Sequence, residues 1–243
     1  MVFGLFSKEK SLAKTIERAT NKLAQQPDRV QSLEKLKEDG SDAALFGLCR
    51  RFSVTSQKAV EDEWEKHWVV DTLVGHGAAA LPPLVRYMKS SDHLSFPLRV
   101  LERIGDRVRV LEIADELFAA EAPGYVRMPD RRIDLLRWFR EWKPGTDAEI
   151  VSRLTPYVTD FDENSRSAAI EGMAGRDPAL IGAPLIAALL RPEEESGRIR
   201  RQILDVLAAA KAPLGDQAAA VGAALRGPLA DDFRVEGDIV KKR

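Results

Sequence analysis

Apolar positions along this chain recur on a helical spacing, and the recurrence itself repeats. A basic residue is followed three positions on by a small or apolar residue and seven positions on by a large apolar one. This happens at Arg29/Ser32/Leu36, Lys66/Val69/Leu73, Arg132/Leu135/Phe139, Arg166/Ala169/Met173 and Arg200/Ile203/Leu207. Leu94/Pro97/Leu101 is a further member that lacks the basic residue. Positions three and seven after each anchor lie on one helix face, where small residues let neighbouring helices approach and larger ones fill the groove between them. The anchors at 29, 66, 94, 132, 166 and 200 stand 37, 28, 38, 34 and 34 residues apart, which is the period of an α-solenoid.

The pattern predicts an all-α, right-handed α-solenoid of about six antiparallel helical hairpins. First helices are expected near 28–39, 63–76, 94–105, 130–142, 163–174 and 197–210, with partners near 42–53, 78–89, 107–120, 147–159, 178–190 and 214–226. Glycines 40, 77, 105 and 175 stand near first-helix ends, and Asp42, Asp130, Asp147 and Asp162 stand where N-caps or first-turn acids belong. Three segments follow: an N-terminal apolar tip and capping helix over 1–27, the repeats over 28–226, and a tail or hairpin over 227–243. In that last segment Phe233 and Val235 alternate with polar residues before a possible turn at Glu236-Gly237-Asp238, giving a short extended tail to cover the last repeat.

The paired segments resemble HEAT repeats of the short bacterial type also found in phycobilin lyases. The resemblance rests on SRSAAIEGMAG followed by IGAPLIAALL, on GRIRRQILDVLAAA followed by an Ala-rich helix, and on the second-helix runs Ala80-Leu81-Pro82-Pro83-Leu84-Val85 and Ala183-Pro184-Leu185-Ile186. It implies a first helix with an inward Arg and a second helix that opens on proline before its aliphatics. Pro97 and the pair Trp138/Trp142 depart from the pattern. Each anchor cation is read as an inter-repeat rung, pairing an acid or carbonyl of its neighbour.

Charge narrows the partners. With 37 basic and 38 acidic residues the chain has a net charge of −1, which disfavours duplex nucleic acid as a partner and leaves any anion binding to a local patch. The opening MVFGLFSKEK has too few apolar residues for a secretory signal or a membrane span, and Cys49 stands alone in an apolar run, so a reducing cytoplasm is expected. Phosphate-loop, dinucleotide, nucleophile-elbow and HExxH or paired CxxC motifs do not occur, so no catalytic residue, cofactor or metal is assigned. A DNA-glycosylase reading through Asp134, Arg137 and Trp138, or a lyase-like chaperone, is the alternative.

The sequence expectation is a non-catalytic, protein-binding scaffold or regulatory adaptor whose partner presents an acidic surface. Its proposed contacts are a basic-aromatic ridge at the ends of second helices, Arg50, Arg51, Arg86, Tyr87, Arg153, Tyr157 and Arg191, with Arg226 at the end of the row, and the long 121–129 loop carrying Tyr125 and Arg127. Nothing in the pattern fixes an oligomeric state.

Overall fold

The computed structural model of the chain describes residues 2–243, with side chains from residue 9 onward, so the expected apolar tip falls largely outside the described side chains. Two compact units divide the chain, Met1–Leu117 and Phe118–Arg243. The first holds α1 (Val2–Ala19), α2 (Gln26–Asp39), α3 (Asp42–Cys49), α4 (Ala59–His76), α5 (Leu81–Met88), α6 (Ser95–Ile104) and most of α7 (Arg107–Ala120). The second holds α8 (Asp130–Glu141), α9 (Asp147–Leu154), α10 (Glu163–Met173), α11 (Pro178–Leu190), α12 (Gly197–Ala210), α13 (Ala218–Ala224), α14 (Pro228–Asp232) and the hairpin β1 (Phe233–Glu236) and β2 (Ile239–Lys242). Consecutive pairs from α2/α3 to α12/α13 are the hairpins that the spacing predicts.

Local chemistry sets the helix ends. Ser41, Asp162 and Ser196 cap α3, α10 and α12 by accepting the amides of Ala44, Ser165 and Ile199, and Thr146 with Glu149 forms a capping box on α9. Gly40 ends α2 at φ 59°, a backbone that a side chain would strain. Four of the second helices are shorter than expected because part of each winds as a 3₁₀ turn: Arg50–Ser53 after α3, Gly77–Ala80 before α5, Thr155–Thr159 after α9 and Gly215–Gln217 before α13. Pro82, Pro83 and Pro156 lie in or beside the second and third of these turns, where a missing amide donor limits α-helical bonding.

The anchor stripe is core. Leu36, Leu73, Leu101, Phe139, Met173 and Leu207 are all fully buried. In the first unit α1 packs on α2 and α3, and Gly47 admits it: a Cβ there would lie 2.6 Å from Ile16 Cγ1. In the second unit β2 packs on α12 and β1 on α13, burying Phe233 and Val240, while Leu214 N donates to Asp238 O at 2.8 Å. The strands pair antiparallel with Val235 opposite Val240, and Gly237 turns at φ 62°.

Three of the five anchor cations, Arg29, Arg132 and Arg166, tie one hairpin to the next. Arg132 holds Asp160 (Nη1 to Oδ2, 2.8 Å), and Asp160 Oδ1 accepts the amide of Asp162, the cap of α10. Arg166 holds Glu194 (Nε to Oε2, 2.8 Å), and Glu194 Oε1 accepts the amide of Ser196, the cap of α12. The same device therefore appears twice in succession. In the first unit the arrangement differs. Arg29 is bound by Glu65 of α4 (Nη2 to Oε1, 2.8 Å), the same carboxylate accepts from Arg51 Nε at 2.7 Å, and Arg51 Nη2 reaches Asp62 at 2.8 Å. Lys66, the expected anchor, pairs within its own helix with Asp62 at 2.7 Å.

Candidate functional site

A concave feature lies in the second unit, at its last hairpin. A cleft of about 1180 Å³ opens between the Pro192–Glu195 loop, the start of α12, the outer face of α13 and Pro228–Leu229. The Arg166–Glu194–Ser196 chain of bonds fixes one wall, because it holds both the loop and the cap of α12. Ala220, Ala223, Ala224 and Leu229 give the cleft an apolar floor, and four arginines, Arg198, Arg200, Arg201 and Arg226, line it.

Those four guanidiniums are not equally committed. Arg198 pairs with Glu163 (Nε to Oε1, 2.7 Å) and Arg201 with Asp232 (2.5 Å). The bond from Arg198, joined by the Ser196 hydroxyl, holds the Glu163 carboxyl below its usual range. Arg200 donates only to the carbonyl of Glu194 (2.8 Å) and Arg226 only to that of Ala223 (3.1 Å), so among the described residues neither has a carboxylate partner. Of the two acids lining the cleft, Glu194 is buried and taken by Arg166, leaving Glu195 exposed.

The position of these cations is unfavourable to the helix itself. Arg198 and Arg200 lie in the first turn of α12, which carries no acid, and Arg201 follows it; Arg198 and Arg201 are answered by Glu163 and Asp232, so it is Arg200 that meets the positive pole of the helix dipole without a carboxylate. The run GRIRR is the sequence signal for this wall, and Arg226 is the last member of the second-helix row.

The expected ridge residues scatter. Arg51 is 0% exposed, bound by Glu65 and Asp62, and so belongs to the core rather than to a contact surface. Tyr87 (4% exposed) shares a 2.6 Å hydrogen bond with Ser53, and its burial pushes the phenol up. Tyr157 (2% exposed) donates its hydroxyl toward the carbonyls of Phe118 and Glu121, and burial pushes it up to about 12. These three correct the ridge: side chains placed at helix ends by the sequence turn inward to satisfy neighbouring hairpins. Arg153 lies over the Phe139 ring and donates to Glu149 O. Arg86 is exposed but pairs with Asp42 at 2.7 Å and stacks on Phe46, while Arg50 lines a shallow pocket of about 430 Å³ with Thr20, Ser53 and Tyr87. Arg191 donates to Thr159 O, and Tyr125 and Arg127 stand exposed on their loop.

Among known proteins, no family model and no curated protein matches this chain. A solved structure of human deoxyhypusine hydroxylase in complex with glycerol aligns over 93% of this chain and 91% of that one, at 17% identity and a TM-score of 0.32. The architecture of this chain is a run of helical hairpins with one small two-stranded hairpin. The expectation of a non-catalytic scaffold is corrected, because a helical-repeat architecture gives no ground for calling a chain non-catalytic. At that TM-score no residue role or activity passes from the neighbour to this chain. No helix among the described residues is long and apolar enough to cross a membrane.

Proposed function

We propose that this chain binds an amphipathic anion, an acidic head group joined to an apolar body, in the cleft of its second unit. The observation that carries the reading is the pairing of two guanidiniums without carboxylate partners, Arg200 and Arg226, with a floor of alanine and leucine side chains. Charge and helix dipole select the head, and the apolar floor selects the body.

The test uses 1-anilinonaphthalene-8-sulfonate as the probe and its uncharged relative N-phenyl-1-naphthylamine as the control. The sulfonate is expected to bind saturably at one site and about tenfold more weakly to Arg226→Glu, which is about 1.4 kcal/mol. Arg226→Lys should retain most of the affinity, added salt should weaken it, and the uncharged probe should bind poorly. Equal affinity of the sulfonate for the wild type and Arg226→Glu overturns the proposal.

The finer expectations belong to the same proposal. The short bacterial HEAT type is supported by the prolines that open α5 and the proline within α11. The division into 1–27, 28–226 and 227–243 is supported by the run of hairpins from α2 to α13. A cytoplasmic setting is supported by Cys49, a free, fully buried thiol that burial pushes up to about 12.

A further inference from the structure

Away from the cleft, the second unit displays two large rings to solvent. Tyr125 is 74% exposed and Phe161 is 68% exposed, and they meet edge to face with centroids 5.3 Å apart and planes at 88°. Met128, also exposed, lies three residues along the same loop. Single exposed apolar side chains are ordinary, but a pair held in mutual contact on two separate loops is not.

The loops that carry the rings are fixed from beneath. Arg132, buried to 1% exposure, donates to the carbonyls of Glu121 (3.0 Å), Ala122 (2.7 Å) and Gly124 (2.9 Å) while holding Asp160. Gly124 N returns a bond to Asp160 Oδ2, and Gly124 itself takes φ 137°, a backbone that favours glycine. Tyr125 follows Gly124 and Phe161 follows Asp160, so one buried ion pair orients both rings. Ordering of this kind reduces the entropy lost when a partner binds.

The charge around the rings is unevenly committed. The acids beside Phe161 are in use: Asp162 caps α10, and Glu163 is held by Arg198 and Ser196. Arg191, bonded to Thr159 O two residues before Phe161, pairs with Glu193. Arg127, two residues after Tyr125 and exposed, has no carboxylate partner among the described residues. With Glu121 held by Arg131, the charged group left uncommitted on the two loops themselves is Arg127.

We infer that the Tyr125–Phe161 pair is a preformed docking surface for an acidic protein segment that lays an aliphatic side chain against the two rings and a carboxylate against Arg127. Aromatic and arginine side chains of this kind concentrate binding energy where they are held rigid. This inference stands independently of the cleft.

The probe is a fluorescein-labelled peptide alternating glutamate and leucine, compared by anisotropy with peptides alternating lysine and leucine and alternating glutamate and serine. The Glu/Leu peptide should bind at least about tenfold more tightly than either control, and Tyr125→Ala should weaken it by about tenfold with an unchanged melt. Arg127→Glu should reverse the order of the Glu/Leu and Lys/Leu peptides. Should Tyr125→Ala disturb the loop, Phe161→Ser removes the other ring from a different segment and should give the same loss. Absence of Glu/Leu binding, or binding indifferent to both ring substitutions, overturns the assignment. A peptide lost on Arg226→Glu but retained on Tyr125→Ala sits in the cleft, which also overturns it while leaving the cleft proposal standing.

Discussion

Replacing Glu65 by alanine tests how the first unit is held together. Its carboxylate is fully buried and accepts from two guanidiniums, Arg29 through Nε and Nη2 and Arg51 through Nε, at distances of 2.7–3.1 Å. Removing one partner of a buried pair costs about 3–5 kcal/mol, because it leaves an uncompensated charge in a low-dielectric setting. Here two cations lose the same carboxylate, which argues for the upper half of that range. Against this, Arg29 keeps the Ala24 carbonyl and has Glu61 at 3.6 Å, and Arg51 keeps Asp62 at 2.8 Å and the Val54 carbonyl at 2.7 Å. The net expectation is a loss of about 4 kcal/mol, a third or more of the stability of a domain this size. Native-state hydrogen exchange reads it where it belongs, on the amides of α2 and α4. A variant carrying Arg29→Met, Arg51→Met and Glu65→Leu together should recover most of the loss, since apolar replacement of a whole buried ion cluster is often neutral. If Glu65→Ala changes protection in α2 and α4 by less than about 1 kcal/mol, the carboxylate does not sustain the two cations and the reasoning fails.

Asp62 supplies a pH test. Burial pushes its carboxyl up, but bonds from Lys66, Ser56 N and Arg51 outweigh burial and hold it at about 2, below the ordinary 3.8. A carboxyl lowered by folding stabilises fully above its unfolded value and loses that contribution as pH falls, so about 2 kcal/mol should disappear between about pH 4 and pH 2. Urea titrations of Asp62→Asn should lack this component; parallel pH curves for the two proteins would sink the assignment. For packing, Gly47→Leu should cost about 2 kcal/mol or more in urea unfolding, because even a Cβ lies 2.6 Å from Ile16 Cγ1, and an unchanged midpoint would mean that α1 does not sit against α3 in solution.

The repeat spacing made the hairpins legible, since it depends only on residues seven apart within one helix. Boundaries at α8, α10 and α12 follow from it to within a residue. Arg29, Arg132 and Arg166 were legible as rungs, but their acceptors were not, and Lys66 and Arg200 turn instead to their own hairpins. Asp160 and Glu194 lie in loops 28 residues downstream of Arg132 and Arg166, beyond any local window. Arg51 shows the opposite failure. A cation at a helix end reads as surface because it suits the dipole, and only the neighbouring α4 reveals the carboxylate that draws it inward. Phe161 is one apolar residue in a polar stretch of sequence, and its pairing with Tyr125 becomes visible only once Arg132 has placed the opposite loop. The cleft left a trace in GRIRR, where helix preference and charge disagree; such local conflicts mark sites that answer to something besides stability.

The two successive bonds from Arg132 to Asp160 and from Arg166 to Glu194 also bear on how such a chain is made and cut. Each guanidinium waits for a carboxylate that emerges 28 residues later from the ribosome, so a hairpin of the second unit is electrostatically complete only when the start of its successor exists. A nascent chain ending at Leu190 contains every helix residue of α10 and α11 yet leaves Arg166 without Glu194. Trimming the chain at a hairpin boundary therefore removes more than a module, because it strands a charge in the one before. Exchange of repeats keeps these two pairs whole only when the cut falls after the acid, between Asp160 and Asp162 or between Glu194 and Ser196.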